Sequence, residues 1–231
     1  MSGSKVEAVT DGIWCLNSHF LSLGCKGSLR MTTISTSEGL ILYSPVHLDD
    51  AHVVQIGELG RVSVIVAPNL YHHLFLRECA TTFRPARILL PQGLAEKIGP
   101  IAGSEVIDGQ TRIAPEAEIE QFTFAGHRIR ETILYHRSSK TLVTSDLIYN
   151  YTTDQFPSER LWFKMIGCYG SPKVAFYHRF SIKDKSSAVA LVEWVRLRQV
   201  DRIIMSHGRI FESLQAGDVF VEAWKRIAKL S

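Results

Sequence analysis

The sequence lacks the features that define several large classes of protein. Its four cysteines, among 231 residues, form no CxxC pair, which is typical of reduced thiols in a cytosolic protein rather than of a disulfide framework. No apolar run approaches the ~20 residues of a membrane span. The opening residues, MSGSKVE, lack the apolar core of a secretory signal. We therefore expect a cytoplasmic protein that has no membrane partner.

Focused positive charge and nucleotide-binding motifs are also missing. The formal net charge is only +3, and Lys and Arg are scattered along the chain, so nucleic acid is not an expected partner. There is no Walker loop, no GxGxxG after a strand, no GxSxG elbow and no HExxH helix. These absences argue against nucleotide-dependent, dinucleotide-dependent, serine-hydrolase and zincin activities.

The sequence does contain a repeated order of strands and helices. Its length is enough for one α/β domain with a substantial core. Hydrophobic periodicity predicts the following elements in chain order: strands within 12–44, a helix at 48–60, alternating strands and helices over 61–108, strands within 117–144, a helix at 186–198, a strand at 203–204 and a helix at 213–230. A β-rich part followed by an α/β part thus occurs twice, and we predict one domain over 1–231.

Polar side chains end three of the predicted strands. Asp146 ends the segment KTLVTSD, His207 follows DRIIMS, and His72 and His73 follow a strand that leads into PNLY. Because strand ends in layered α/β folds open toward ligands at one edge, we expect Asp146 and His207 to approach each other there. Gly208, directly after His207, should free space for a ligand. These strand ends are the candidate site.

Two further segments bear on this site. Asn69 precedes a helix predicted from about Tyr71 to about Thr81, and its side chain can cap the free amides of that helix. Residues 151–180 are rich in aromatic, Gly and Pro residues and have poor periodicity, which is typical of a covering lid. Trp162 lies in this segment, where it is placed to line a pocket.

This order of elements, with His or Asp at strand ends, resembles the metallo-β-lactamase superfamily and its four-layer αββα sandwich. The segment TSDL, which contains Asp146, looks like the family's segment with the metal-bridging aspartate. The segment SHG, which contains His207, looks like the segment with the last histidine ligand. His127 lies at about the place of another histidine ligand. The altered motifs resemble an uncharacterised branch of the superfamily, known as a domain of unknown function.

The family's usual His-x-His-x-Asp-His motif is altered in this sequence. Laid over it, Pro68 and Leu70 stand at the first two histidines, His72 at the aspartate and His73 at the last histidine. Neither proline nor leucine offers a side-chain donor atom, so the family's first zinc site cannot form in the usual way. The resemblance implies one altered site with these ligands: His73, Asp146 and His207, supplemented by His72 or His127.

Imidazole and carboxylate ligands suit one divalent ion of zinc, iron or manganese. An open coordination position would let bound water ionise near neutral pH and attack an ester, amide, thioester or phosphodiester in a small-molecule substrate. Glu131 could orient an imidazole or pair with a neighbouring arginine, and His136 is expected to pack or form hydrogen bonds. The alternative is a non-catalytic protein of the same fold that binds a small molecule or a partner without metal. A metal-dependent hydrolase needs at least three ligands that converge on one point, whereas the non-catalytic alternative needs none.

Overall fold

The computed structural model describes residues 5–22, 25–152 and 157–229. Two β-sheets form its centre. The strands of the first sheet, in both chain and spatial order, are β1 (Val6–Thr10), β2 (Ile13–Ser22), β3 (Cys25–Thr36), β4 (Gly39–Tyr43), β5 (Val62–Val66), β6 (Arg87–Pro91) and β7 (Ser104–Ile107). The strands of the second sheet are β8 (Ile119–Thr123), β9 (Thr132–His136), β10 (Thr141–Val143), β11 (Arg202–Ile204) and β12 (Phe211–Glu212), in the spatial order β12-β11-β10-β9-β8.

Seven helices lie within the described residues. They are α1 (Asp50–Leu59), α2 (Leu76–Thr82), α3 (Leu94–Ile98), α4 (Pro157–Met165), α5 (His178–Ser181), α6 (Lys185–Arg196) and α7 (Ala216–Ala228). None of these helices combines the length and hydrophobicity of a transmembrane segment. β1 to β4 are antiparallel neighbours, whereas β4 to β7 run parallel to one another, as do β10 and β11.

The strands sort their apolar side chains between two layers because successive residues point to opposite faces of a sheet. On β4, Leu42 packs outward with α1 and α2, whereas Ile41 packs inward between the sheets. On β11, Ile203 packs outward with α6 and α7, whereas Ile204 faces the first sheet. Strands covered on both faces are continuously apolar, as these sequences are.

Helices therefore cover the outer face of each sheet. The outer core of the first sheet includes Ile56 of α1 and Leu76 of α2, and that of the second includes Leu191 of α6 and Trp224 of α7. A third cluster fills the space between the two sheets. This arrangement confirms the four-layer αββα sandwich expected from the sequence.

The segment predicted to be a lid forms a smaller apolar cluster of its own. Tyr151 stacks on Phe163 of α4, with ring centroids 4.4 Å apart, and Ile166 and Ala175 are buried in the same cluster. Part of the predicted lid, 153–156, lies outside the described residues. The short helix α5 was not predicted because four residues carry too little periodicity, and the same is true of the two-residue strand β12.

The helix predicted from Tyr71 starts later than expected. α2 begins only at Leu76, and residues 71–75 form turns. The cause is Asn69, whose Oδ1 accepts hydrogen bonds from the amides of Tyr71 and His72, at 2.8 and 3.0 Å. Asn69 thus satisfies free amides as predicted, but these amides belong to a turn that precedes the helix.

Candidate metal centre

Three loops that follow strands bring His72, Asp146 and His207 together. Val143 of β10 pairs with Ile204 of the parallel strand β11. Asp146 and His207 each lie three residues beyond this pair, so equal extensions of two adjacent parallel strands carry them to one edge. His72 comes from the turn after β5 in the first sheet. The cluster therefore bridges the two sheets.

The atoms of these three side chains that could ligate a metal lie close together. The Nε2 atoms of His72 and His207 are 3.2 Å apart. Oδ1 of Asp146 is 3.3 Å from Nε2 of His72 and 3.5 Å from Nε2 of His207. A tetrahedral zinc ion with bonds of ~2.0–2.1 Å holds its ligand atoms about 3.3–3.4 Å apart. The three donor atoms thus fit one face of such a tetrahedron, and the donor set suits a divalent metal.

Each imidazole of the cluster is held from behind by a serine. Nδ1–H of His207 donates to the carbonyl oxygen of Ser28 at 2.7 Å, which leaves Nε2 with its lone pair toward the cluster. Nδ1 of His72 lies 2.8 Å from Oγ of Ser44, which also accepts a hydrogen bond from Ser206 at 3.1 Å. Such contacts fix the orientation of a ligating ring.

Ser28 is itself held by the helix α4. Its amide and its hydroxyl both donate to Oε1 of the buried Glu159 on α4, at 2.5 and 2.9 Å. Tyr151 donates to the other carboxylate oxygen of Glu159 at 2.8 Å. The contact that orients His207 is thus linked to α4.

Glu131 is fully buried and positions Asp146 through the backbone. It accepts hydrogen bonds from the hydroxyl of Thr144, the amides of Ser145 and Asp146, and Nδ2 of Asn69. The same Nδ2 atom also donates to Oδ2 of Asp146 at 2.9 Å. Glu131 therefore neither orients an imidazole nor pairs with an arginine, the two roles considered from the sequence. It holds the loop that carries Asp146.

Burial and charge shift the pKa values of the cluster in different directions. For Asp146, burial alone would raise the pKa, but the charges of His72 and His207 and the Asn69 amide hold it below its usual range. For His72, burial lowers the pKa, but Asp146 outweighs that effect and raises it above 6.5. Burial lowers the pKa of His207 to about 4. Near neutral pH, Asp146 is therefore a carboxylate and His207 a neutral imidazole.

A cavity of about 740 Å³ opens above the cluster. It is lined by Leu29, Pro45, Tyr71, His72, His73, Leu74, Arg128, Ile129, Asp146, Tyr149, Trp162, Tyr177, His178, Ser181 and His207. The hydroxyl of Tyr149 donates to Oδ1 of Asp146 at 3.2 Å and lies 2.9 Å from the hydroxyl of Tyr177. Because a carboxylate only accepts, Tyr177 donates to Tyr149, and the Tyr177 oxygen keeps a lone pair.

Comparison with solved structures identifies the fold. The chain is similar to a metallo-β-lactamase from Pontibacter korlensis, with 13% identity, a TM-score of 0.64, and coverage of 96% of this chain and 99% of that one. It is also similar to the metallo-β-lactamase FIM-1 from Pseudomonas aeruginosa in its mono-zinc form, with 12% identity, a TM-score of 0.62, and coverage of 98% and 96%. The chain has the metallo-β-lactamase fold.

This fold by itself does not decide the reaction. The chain is equally similar to rubredoxin oxygen:oxidoreductase from Desulfovibrio gigas, with 14% identity and a TM-score of 0.65, covering 97% of this chain and 62% of that one. No protein-family model matches the chain, and no curated protein matches its sequence. The chemistry of this metallo-β-lactamase-fold protein must be argued from its own residues.

The histidine that enters the cluster from the loop after β5 is His72 rather than His73. His73 lines the cavity wall, is half-buried, and is absent from the group of donor atoms that could hold a metal, which is His72, Asp146 and His207 within the described residues. The Asn69 hydrogen bonds fix the turn so that His72 points inward. Burial and the charge of Lys97 lower the pKa of His73, which is therefore neutral at pH 7.

Of the other residues singled out from the sequence, Trp162 lines the cavity and His127 and His136 lie outside the cluster. His127 is buried, and its Nε2 is 3.1 Å from Nδ1 of His178; burial lowers the His127 pKa to about 3. His136 bonds Ser139 at the turn between β9 and β10.

Gly208 also differs from its predicted role. Its φ is +84°, and a Cβ there would lie 2.4 Å from the backbone oxygen of Asn150. The space beside His207 is thus occupied by backbone.

Sequence reasoning missed several residues of this site. Tyr149 could have been noticed, because it follows Asp146 by three residues. Tyr177 and His178 lie in a segment of poor periodicity that gives no local signal. Ser28 acts through its carbonyl group, which no side-chain pattern reveals.

Proposed function

We propose that His72, Asp146 and His207 hold one divalent metal ion and that the protein is a metal-dependent hydrolase. Its substrates on this proposal are small molecules that contain an ester, amide, thioester or phosphodiester bond. The observation that supports it best is the separation of the three donor atoms, 3.2 to 3.5 Å, at the base of a cavity. Zinc suits these separations, and iron or manganese also accept two imidazoles and a carboxylate.

A divalent ion bound there supplies Lewis acidity, which polarises a substrate oxygen and lowers the pKa of water. The chain supplies orientation. Burial and the nearby Asp146 charge raise the pKa of Tyr149 well above 10, so its hydroxyl keeps its proton and donates to Asp146. Tyr177 lines the cavity, and its oxygen can accept a hydrogen bond from a water or a substrate hydroxyl. The exposed guanidinium of Arg128, at the cavity wall, can receive an anionic group of the substrate.

We assign proton transfer to His73. Its ring lines the cavity, outside the ligand set, and its lowered pKa leaves it neutral and able to accept a proton at pH 7. Asp146, which also lines the cavity, is committed to the cluster, and burial lowers the pKa of the cavity residue His178 to about 4.

The test is metal content by mass spectrometry after identical purification without chelator. We expect metal in the parent and in His73→Ala, and little in His207→Ala or Asp146→Ala. Loss of an outer contact alone costs about 10–100-fold in affinity, and loss of a ligand should cost more. His73→Ala should then lose hydrolytic activity while it retains metal. Metal that persists in both ligand variants would show that the ligands lie elsewhere.

The alternative function, a non-catalytic protein that binds a small molecule or partner without metal, has one observation in its favour. The distance of 3.2 Å between the two Nε2 atoms is also that of a hydrogen bond, with the proton on His72. The cluster can therefore close on itself without a metal ion. A parent protein that takes up no metal even after reconstitution would favour this alternative.

A further inference from the structure

The helix α4 exposes three large apolar side chains beside its exposed basic residues. Leu161, Trp162 and Met165 are spaced to share one face and are all more than half exposed, whereas Phe163 on the helix and Ile166 directly after it are buried. A single exposed apolar side chain needs no explanation, but a contiguous group does.

More exposed apolar side chains line the cavity or lie next to the elements that line it. Phe176 lies beside the end of α4, since its amide donates to the carbonyl of Ile166, and Phe180 lies on α5, next to the cavity residue Ser181. Tyr71 and Leu74 line the cavity from the loop after β5. We call this group the apolar rim: Tyr71, Leu74, Leu161, Trp162, Met165, Phe176 and Phe180, each between 52% and 69% exposed.

The segment that carries most of the apolar rim has charge of one sign. Residues 161–183, which include five of the seven rim residues, contain four basic residues, namely Lys164, Lys173, Arg179 and Lys183, and no acidic residue. The whole chain has a net charge of only +3, so this segment concentrates the positive charge beside the rim.

This charge pattern disfavours a second copy of the chain as the occupant. A twofold interface places the same patch on both sides, so the basic residues of one copy would face those of the other. A lipid surface that carries anionic headgroups complements both features, since apolar and aromatic side chains enter the headgroup boundary while Lys and Arg remain at the phosphates.

We propose that the apolar rim docks on an anionic lipid surface, with the mouth of the cavity facing the lipid. This differs from the expectation of no membrane partner, which was based on the lack of a spanning segment. Adsorption requires only an apolar face flanked by basic residues. The proposal does not depend on a bound metal, because no residue of the rim belongs to the cluster of His72, Asp146 and His207.

The test is co-sedimentation of the full chain with vesicles of phosphatidylcholine alone and of phosphatidylcholine mixed with phosphatidylserine. We expect binding to the mixed vesicles that weakens as salt rises. Replacing Trp162 or Phe180 with Ser should lower the partition coefficient about tenfold or more, because each removes a large apolar group that docking would bury in the lipid. Lys164→Gln should lower it about fivefold, since one basic residue near such a surface contributes about 1 kcal/mol.

Leu197→Ser and Leu214→Ser are matched controls, because these leucines are 81% and 82% exposed but belong to none of the segments that carry rim residues. They should leave vesicle binding unchanged. The proposal is overturned if the parent does not bind mixed vesicles, if the controls lose binding as much as Trp162→Ser, or if analytical ultracentrifugation shows a dimer that Trp162→Ser abolishes. Each measurement is made with and without added zinc, so a protein that binds vesicles but no metal supports this inference and contradicts the hydrolase proposal.

Discussion

Metal binding at the cluster should depend on pH through a single proton. Nε2 of His72 lies 3.2 Å from Nε2 of His207 and 3.3 Å from Oδ1 of Asp146. A proton on this nitrogen is therefore within hydrogen-bond distance of both atoms. Burial lowers the pKa of His72, but Asp146 outweighs burial and raises it above the ordinary 6.5. Burial lowers the pKa of His207 to about 4. From about pH 5 to the pKa of His72, only the His72 proton competes with a metal for a ligand lone pair.

The sign of the effect follows from this competition. As pH falls, His72 becomes protonated and the apparent metal affinity falls by about tenfold per pH unit, because binding must release about one proton. Above the pKa of His72 the affinity levels off. Below about pH 4, where His207 also takes a proton, the dependence should steepen toward two protons.

Isothermal titration calorimetry with zinc, in pairs of buffers that differ in ionisation enthalpy, measures both the affinity and the number of protons released. His73→Ala is the matched control, because His73 lies outside the cluster and its loss should leave the proton count unchanged. Affinity that does not change from pH 5 to pH 8, or release of two protons at pH 6, would refute the protonation states assigned to His72 and His207.

Three further predictions concern the supporting structure. Gly208→Ala should lower the free energy of unfolding in chemical denaturation by about 2–4 kcal/mol, because the added Cβ would lie 2.4 Å from the backbone oxygen of Asn150 and residue 208 has a φ of +84°. A decrease of less than ~0.5 kcal/mol would contradict this. Glu131→Gln should cost about 2–3 kcal/mol in the same assay, since its amide group would face the donors that now bond the carboxylate, and unchanged stability would argue that the pocket repacks. Limited proteolysis followed by mass spectrometry should cut first within 151–180, and release of two stable halves would refute a single domain.

The sequence predicted the strand-end residues of the site because the information is local. Asp146 and His207 each follow a short apolar strand, and the strands β10 and β11 pair in parallel, so the same extension beyond Val143 and Ile204 brings them together. The layers were predictable for the same reason, since alternating burial on each strand depends on neighbouring residues.

The choice between His72 and His73 was not predictable from local pattern. The two residues are adjacent, and the turn that selects His72 is set by Asn69. Asn69 in turn donates to the buried Glu131, which lies just before β9 and 62 residues away in the chain. The support of His207 by Ser28 spans 179 residues and uses a backbone carbonyl, so only the assembled sheets reveal it.

The position of Ser28 between Glu159 and His207 has a thermodynamic consequence. Its amide and hydroxyl donate to Glu159 of α4, and its carbonyl accepts from the ring of His207. One residue therefore contacts both the cluster and the helix that carries three of the seven residues of the apolar rim. Any shift of α4 that changes the hold of Glu159 on Ser28 also changes the orientation of His207. Coupling of this kind is reciprocal. The factor by which a docked lipid surface alters metal affinity must therefore equal the factor by which the metal alters affinity for the surface.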